Sequence, residues 1–95
     1  MILQFSPAAE ADLVDIAMFI AADDANRALT FVEELQTACA ILVDYPLAGV
    51  ARPELGENLR SKPYRRYMIY YRIVGDAVRI ERFLHGSRDP SGMER

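Results

Sequence analysis

The sequence predicts an α+β domain spanning residues 1–95: an N-terminal strand, then an antiparallel helical hairpin packed on one face of a small antiparallel sheet. Apolar residues recur at helical spacing through the first half, and they alternate at strand spacing in the second. Between two of the later strands stands Gly75-Asp76, a tight turn of the Gly-X kind. Strands that follow helices and are joined by hairpins favour helices on one sheet face, leaving the other face open to solvent or a ligand.

Ile2-Leu3-Gln4-Phe5 reads as a short first strand. Ser6-Pro7 then opens a helix, because Ser6 can accept an orphan N–H and Pro7 has its φ preset for the first helical position. Leu13, Ile16, Ala17 and Ile20 form its apolar stripe, and the helix ends near Ala22. Asp23-Asp24 supplies the next cap. The second helix carries Ala28, Phe31, Val32, Leu35, Cys39 and Leu42 on one face and runs to Tyr45, where Pro46 stops it. So short a link makes the two helices an antiparallel pair. Residues 58–62 and 66–74 read as strands. Ala77–His85 returns with Val78, Ile80 and Leu84 on one face and Arg79, Glu81 and Phe83 on the other. The tail 86–95 has no period and is expected to be loosely held.

Composition narrows the function classes. The chain is 52% hydrophobic and 26% charged, which is ordinary for a soluble globular protein. The lone Cys39 stands in an apolar stretch and reads as a small buried hydrophobe, which fits a reducing compartment. The N-terminus lacks the basic region and long apolar run of a signal peptide. No apolar stretch approaches the roughly 20 residues that cross a bilayer, so no membrane association and a cytoplasmic location are expected.

The net charge of −3 conceals an asymmetry. Residues 1–50 hold eight acids against the single base Arg27, whereas residues 51–95 hold ten bases against six acids. A basic half on an acidic chain suits a face that meets something anionic, although solvated strand arginines give the same tally. One histidine and one cysteine, 46 positions apart, offer no metal-ligand cluster, and no phosphate-cradling glycine loop is present. What remains is a basic, aromatic C-terminal region. It includes Arg60, Lys62, Tyr64, Arg65, Arg66 and Tyr67, then Arg72, Arg79, Arg82, His85 and Arg88. Guanidinium groups fork onto phosphates and aromatic rings stack on bases; the plainer reading is cross-strand ion pairing and sheet packing. His85 is the side chain whose ordinary titration range lies nearest neutrality, and it suits either proton transfer or a hydrogen bond at the sheet edge.

An ordered series of segments also resembles the ParE-like toxins of the RelE/ParE superfamily. Ser6-Pro7-Ala8, leading into Ala11-Asp12-Leu13 and Ile16, resembles their opening helix. Ala28, Phe31 and Tyr45-Pro46-Leu47-Ala48-Gly49 continue the likeness. It runs on through Arg52-Pro53-Glu54-Leu55, Leu59-Arg60-Ser61 and Ile69-Tyr70-Tyr71-Arg72. The C-terminal run from Ile80 to Asp89, with its His-Gly-x-Arg-Asp segment, is the strongest element.

The resemblance implies the toxin of a type II toxin–antitoxin system, held inactive by a cognate antitoxin and arresting growth on release. RelE-like members cleave mRNA in the ribosome, whereas ParE-like members inhibit DNA gyrase. Where RelE-like nucleases have two lysines, an arginine and a tyrosine, this chain has Gly56, Asn58, Met68 and Glu94; only Arg88 matches. Glycine, asparagine and methionine cannot stabilise a phosphorane or move a proton. The expectation is therefore a non-enzymatic, ParE-like gyrase inhibitor that needs no cofactor. Its expected target contacts are Arg60, Lys62, Arg82, His85 and Arg88. Leu13, Ile20, Phe31 and Tyr67 are the expected contacts for an antitoxin, whose disordered segment would fold on binding as an amphipathic helix and an added strand. Two alternatives stand beside this reading. One is a ribosome-dependent mRNA endonuclease using Arg82, His85 and Arg88; the other is a non-toxic relative that only binds antitoxin.

Overall fold

A computed structural model describes residues 1–92. The elements are β1 (Ile2–Phe5), α1 (Pro7–Ala21), α2 (Ala25–Asp44), β2 (Val50–Ala51), β3 (Leu59–Tyr64), β4 (Tyr67–Val74) and β5 (Ala77–His85). Five strands form one sheet in the order β1-β5-β4-β3-β2.

Both helices start as their cap residues dictate. Ser6 Oγ accepts the Ala9 N–H at 2.9 Å, and Pro7 occupies the first turn. Asp24 Oδ1 accepts the Arg27 N–H at 3.0 Å. The faces that α1 and α2 turn to the sheet bury Ala9, Ile16, Phe31, Leu35, Cys39 and Leu42. They meet Ile69 and Tyr71 of β4 and Val78, Ile80 and Phe83 of β5 in one cluster. Burial of this kind is the main driving force of the fold. It also pushes the Cys39 thiol up to about 12, so the thiol stays protonated and inert.

Four expectations need correction. The sheet is mixed, because β1 runs parallel to β5 with Ile2 opposite Ala77 and Phe5 opposite Ile80. No turn joins these two strands, so no local signal sets their relative direction. A two-residue strand, β2, pairs with β3; so short a segment carries no alternation to read. The third correction is a bulge in β5. Tyr71 faces Ile80 but Tyr70 faces Arg82, leaving Glu81 as the extra residue. The alternation flips there, and Phe83 joins Val78 and Ile80 in the core instead of facing away. Glu81 settles between Arg72 and Arg79, which stand directly opposite each other, and bridges them at 2.9 and 3.3 Å. Like charges across a ladder destabilise it, so the bulge brings in the missing anion.

The fourth correction concerns the face turned away from the helices. Leu59, Ser61, Tyr70 and Leu84 point there by register, yet all four are buried. The loop between β2 and β3 folds back across part of it. Arg52 Nη1 donates to Ser61 Oγ at 3.2 Å, and Arg72 Nη1 donates to the Glu57 carbonyl at 3.0 Å. This face is therefore partly roofed.

Candidate functional site: a cationic, apolar groove beside the end of β5

The sheet end near His85 is built by side chains that finish what β1 leaves undone. β1 stops opposite Ile80, so the rest of β5 has a bare edge. The Ser6 N–H reaches the Ile80 carbonyl at 2.9 Å, and the Ser6 hydroxyl donates to the Glu81 carbonyl at 2.7 Å. Asp12 Oδ2, from α1, accepts the Phe83 N–H at 2.9 Å. The same carboxylate takes Arg82 in a fork, Nε at 2.7 Å and Nη2 at 2.9 Å. The Asp12 hydrogen bond raises the pKa of Arg82 further. A cation so engaged positions the strand before it can serve a ligand.

His85 lies on the other side of β5 from Arg82 by register, opposite Tyr67, whose ring it meets edge-on at 5.5 Å. The Ser87 N–H donates to His85 Nδ1 at 3.2 Å, with Ser87 Oγ 2.8 Å from the same atom. Nδ1 is thus an acceptor, and the proton of the neutral ring belongs on Nε2. Arg88 is exposed, its backbone N–H turned back to the His85 carbonyl at 2.9 Å. Among the described residues no hydrogen bond or ion pair joins the side chains of Arg82, His85 and Arg88. Glu94 lies outside the described residues.

Beside His85 opens a groove of about 640 Å³. It is lined by the apolar and aromatic side chains of Phe19, Ile20, Phe31 and Tyr67 and by Arg27, Arg65, Arg66 and His85. Three of the residues expected from sequence to meet an antitoxin, Ile20, Phe31 and Tyr67, converge here. Leu13 does not line the groove and packs, half-buried, against the core.

Arg65 and Arg66 form the two-residue tip of the β3–β4 hairpin, between the paired Tyr64 and Tyr67. Arg65 has φ of 52°, a left-handed conformation that ordinarily calls for glycine. Glu34 of α2 fastens this tip to the helices. It accepts Arg27 Nη1 at 2.8 Å and the Tyr64 hydroxyl at 2.6 Å, and lies 3.5 Å from Arg65 Nε. The hydrogen bond from Arg27, then that from Tyr64, hold the Glu34 carboxyl down at about 2.

The other expected target residues lie elsewhere. Arg60 and Lys62 belong to β3, two strands from β5, which at ordinary strand spacing is roughly 10 Å away. Arg60 Nη1 donates to the Gly49 carbonyl at 2.8 Å. Lys62 lines a second groove of about 530 Å³ along α2, together with Glu33, Glu34, Ile41 and Tyr64. The expected target set therefore falls into two groups. Sequence reasoning had not assigned Phe19 or Arg27 to a site, and had placed Arg65 and Arg66 only in the broad basic, aromatic C-terminal region. Two signals pointed to them: a two-residue arginine tip between tyrosines, and a phenylalanine just off the apolar stripe of α1.

The chain is thus a helical hairpin on a mixed sheet, with a cationic, apolar groove at one end. A family model described as ParE toxin of the type II toxin–antitoxin system parDE matches residues 3–90. The chain belongs to that family. Among solved structures it is similar to a chain of the chromosomal ParDE toxin–antitoxin system from P. aeruginosa. The TM-score is 0.76 at 22% identity, covering 90% of this chain and 95% of the other. At that identity the likeness establishes the fold alone. No curated protein matches. Among the described residues no helix is long and apolar enough to cross a membrane, and no cluster of residues could hold a metal ion.

Proposed function

We propose that this toxin arrests growth in the cytoplasm by binding DNA gyrase, without breaking a covalent bond, and that a cognate antitoxin neutralises it. Membership of the ParE family supports gyrase as the target. The observation that carries the non-enzymatic reading is the fork of Arg82 onto Asp12. Cleavage of RNA needs a cation and a proton carrier converging on one phosphate. Arg82 is committed elsewhere, and register sets it on the opposite face of β5 from His85.

In this reading His85 and the exposed Arg88 touch the target, Arg60 and Lys62 add a second patch on β3, and Arg82 holds the strand end in shape. The antitoxin covers Ile20, Phe31 and Tyr67 in the groove and reaches the α1 flank near Leu13. Purified toxin added to a gyrase supercoiling reaction and to ribosomes carrying mRNA tests the proposal. Blocked supercoiling with intact transcripts is the expected result. Transcripts cut on the ribosome, with His85 or Arg88 required, would overturn it.

A further inference from the structure

We propose that the outer edge of β1 is an interface between two copies of this chain, whose β1 strands pair antiparallel about a two-fold axis at Gln4. A strand edge presents unpaired N–H and C=O groups, and folded proteins block the edges they do not use. In this sheet every edge but one is blocked.

Beyond Ile80 the side of β5 is closed by Ser6 and Asp12. At the opposite end of the sheet, Val50 pairs with Ser61 and the Arg52 N–H reaches the Leu59 carbonyl. Val50 and Arg52 therefore bond to β3, and Gly49, Ala51 and Pro53 turn outward. Tyr71 Oη accepts the Gly49 N–H, Arg60 donates to the Gly49 carbonyl, and Pro53 has no N–H to offer. Past the end of β2, the next outward residue of β3 is Pro63, again without an N–H.

β1 carries no such device. The Ile2 N–H reaches the Asp76 carbonyl and the Ser6 N–H the Ile80 carbonyl, so the even-numbered residues bond to β5. Leu3 and Phe5 turn their N–H and C=O outward, where among the described residues no strand lies. The strand holds neither proline nor charge, the first ionic side chain being Glu10.

This edge is complementary to itself. Two outward residues flank one inward residue, so an antiparallel copy sets Leu3 opposite Phe5 and Phe5 opposite Leu3, each donor facing an acceptor. Gln4 then faces its own equivalent across the axis, in the closer, non-hydrogen-bonded kind of pair. Its exposed side chain is uncharged, so nothing repels there. Ile2, 52% exposed, shares the face of Gln4 and adds apolar area on both sides of the axis. So short an interface falls below the roughly 800 Å² a side of a stable complex, which makes the pair reversible. His85 lies five positions beyond Ile80, roughly 16 Å along β5, so both cationic grooves stay open and the paired toxin is bivalent.

Sedimentation velocity on the full chain should show monomer giving way to dimer as concentration rises through the micromolar range. Gln4→Glu keeps Arg79 as its strand neighbour but sets two carboxylates face to face. It should raise the midpoint about tenfold at low salt, with the gap closing at high salt and thermal unfolding of the dilute chain unchanged. Under diamide, Gln4→Cys should link into dimers about tenfold faster than Ile2→Cys, which the register sets opposite Ser6; the buried Cys39 leaves the wild type as a blank. A chain monomeric at every concentration, a midpoint unmoved by Gln4→Glu, or equal linking at both positions would overturn the proposal. So would a monomer whose Leu3 and Phe5 amides slow their hydrogen exchange only when a neutral β-strand peptide is added, which would assign the edge to a foreign strand.

Discussion

Asp12 holds Arg82 and the backbone of Phe83 with one carboxylate: a fork at 2.7 and 2.9 Å, and the Phe83 N–H at 2.9 Å. It replaces the strand neighbour that β5 lacks beyond Ile80. The Asp12 side chain is only 11% exposed and that of Arg82 27%, so solvent does little to screen the pair. Removing the acid strands a cation and an N–H together. Asp12→Ala should cost about 3 kcal/mol in chemical denaturation, and Asp12→Asn less, since an amide oxygen still accepts the Phe83 N–H. If Asp12→Ala is as stable as the wild type, the strand end is held by something else.

Tyr71 locks the loop after α2 from within the core. Its hydroxyl donates to the Pro46 carbonyl at 2.7 Å and accepts the Gly49 N–H at 2.8 Å. Tyr71→Phe leaves both groups without a partner and should cost about 1–3 kcal/mol by thermal or urea unfolding. Gly49 cannot carry a side chain there, because a Cβ would lie 2.6 Å from the Tyr71 hydroxyl and 2.9 Å from the Ser61 carbonyl. Gly49→Ala should therefore destabilise as much as Tyr71→Phe or more.

Glu34 gives the fold an acid-sensitive joint. The hydrogen bonds from Arg27 and Tyr64 lower its pKa from 4.5 to about 2. A carboxyl depressed in the folded state contributes stability that is fully present above 4.5 and is lost as pH falls through 2. Urea midpoints measured across that window should fall less steeply for Glu34→Gln than for the wild type. Parallel curves would place the acid sensitivity elsewhere.

Arg65 keeps the tip cationic in a conformation that suits glycine. Arg65→Gly should change stability by less than about 1 kcal/mol, because relief at φ of 52° offsets the entropy cost of glycine. Arg65→Val should be less stable than Arg65→Gly by about 1–2 kcal/mol, as β-branched residues resist positive φ most. Equal stabilities would mean that the tip relaxes on substitution.

Much of the fold was legible because its signals are local. Ser6-Pro7 and Asp24 cap the helices, Pro46 follows the end of α2, and Gly75 takes the positive φ of its turn. The parallel seating of β1, the Glu81 bulge and the roof of residues 52–58 were not legible, since each depends on partners distant in the chain. The site was legible in part. Ile20, Phe31 and Tyr67, each apolar or aromatic at its element's spacing, line one groove, but Asp12 reads in sequence as one more acid on an exposed face. Only its packing against the bare edge of β5 turns it into the partner of Arg82 and Phe83.

Titration of gyrase with purified toxin tests the central claim most directly. A protein that acts by binding reaches full inhibition of supercoiling only near stoichiometric amounts, and its Arg88→Ala and His85→Ala variants need more while remaining folded. Complete growth-arresting chemistry from substoichiometric toxin, with gyrase untouched and transcripts cut, would contradict the account.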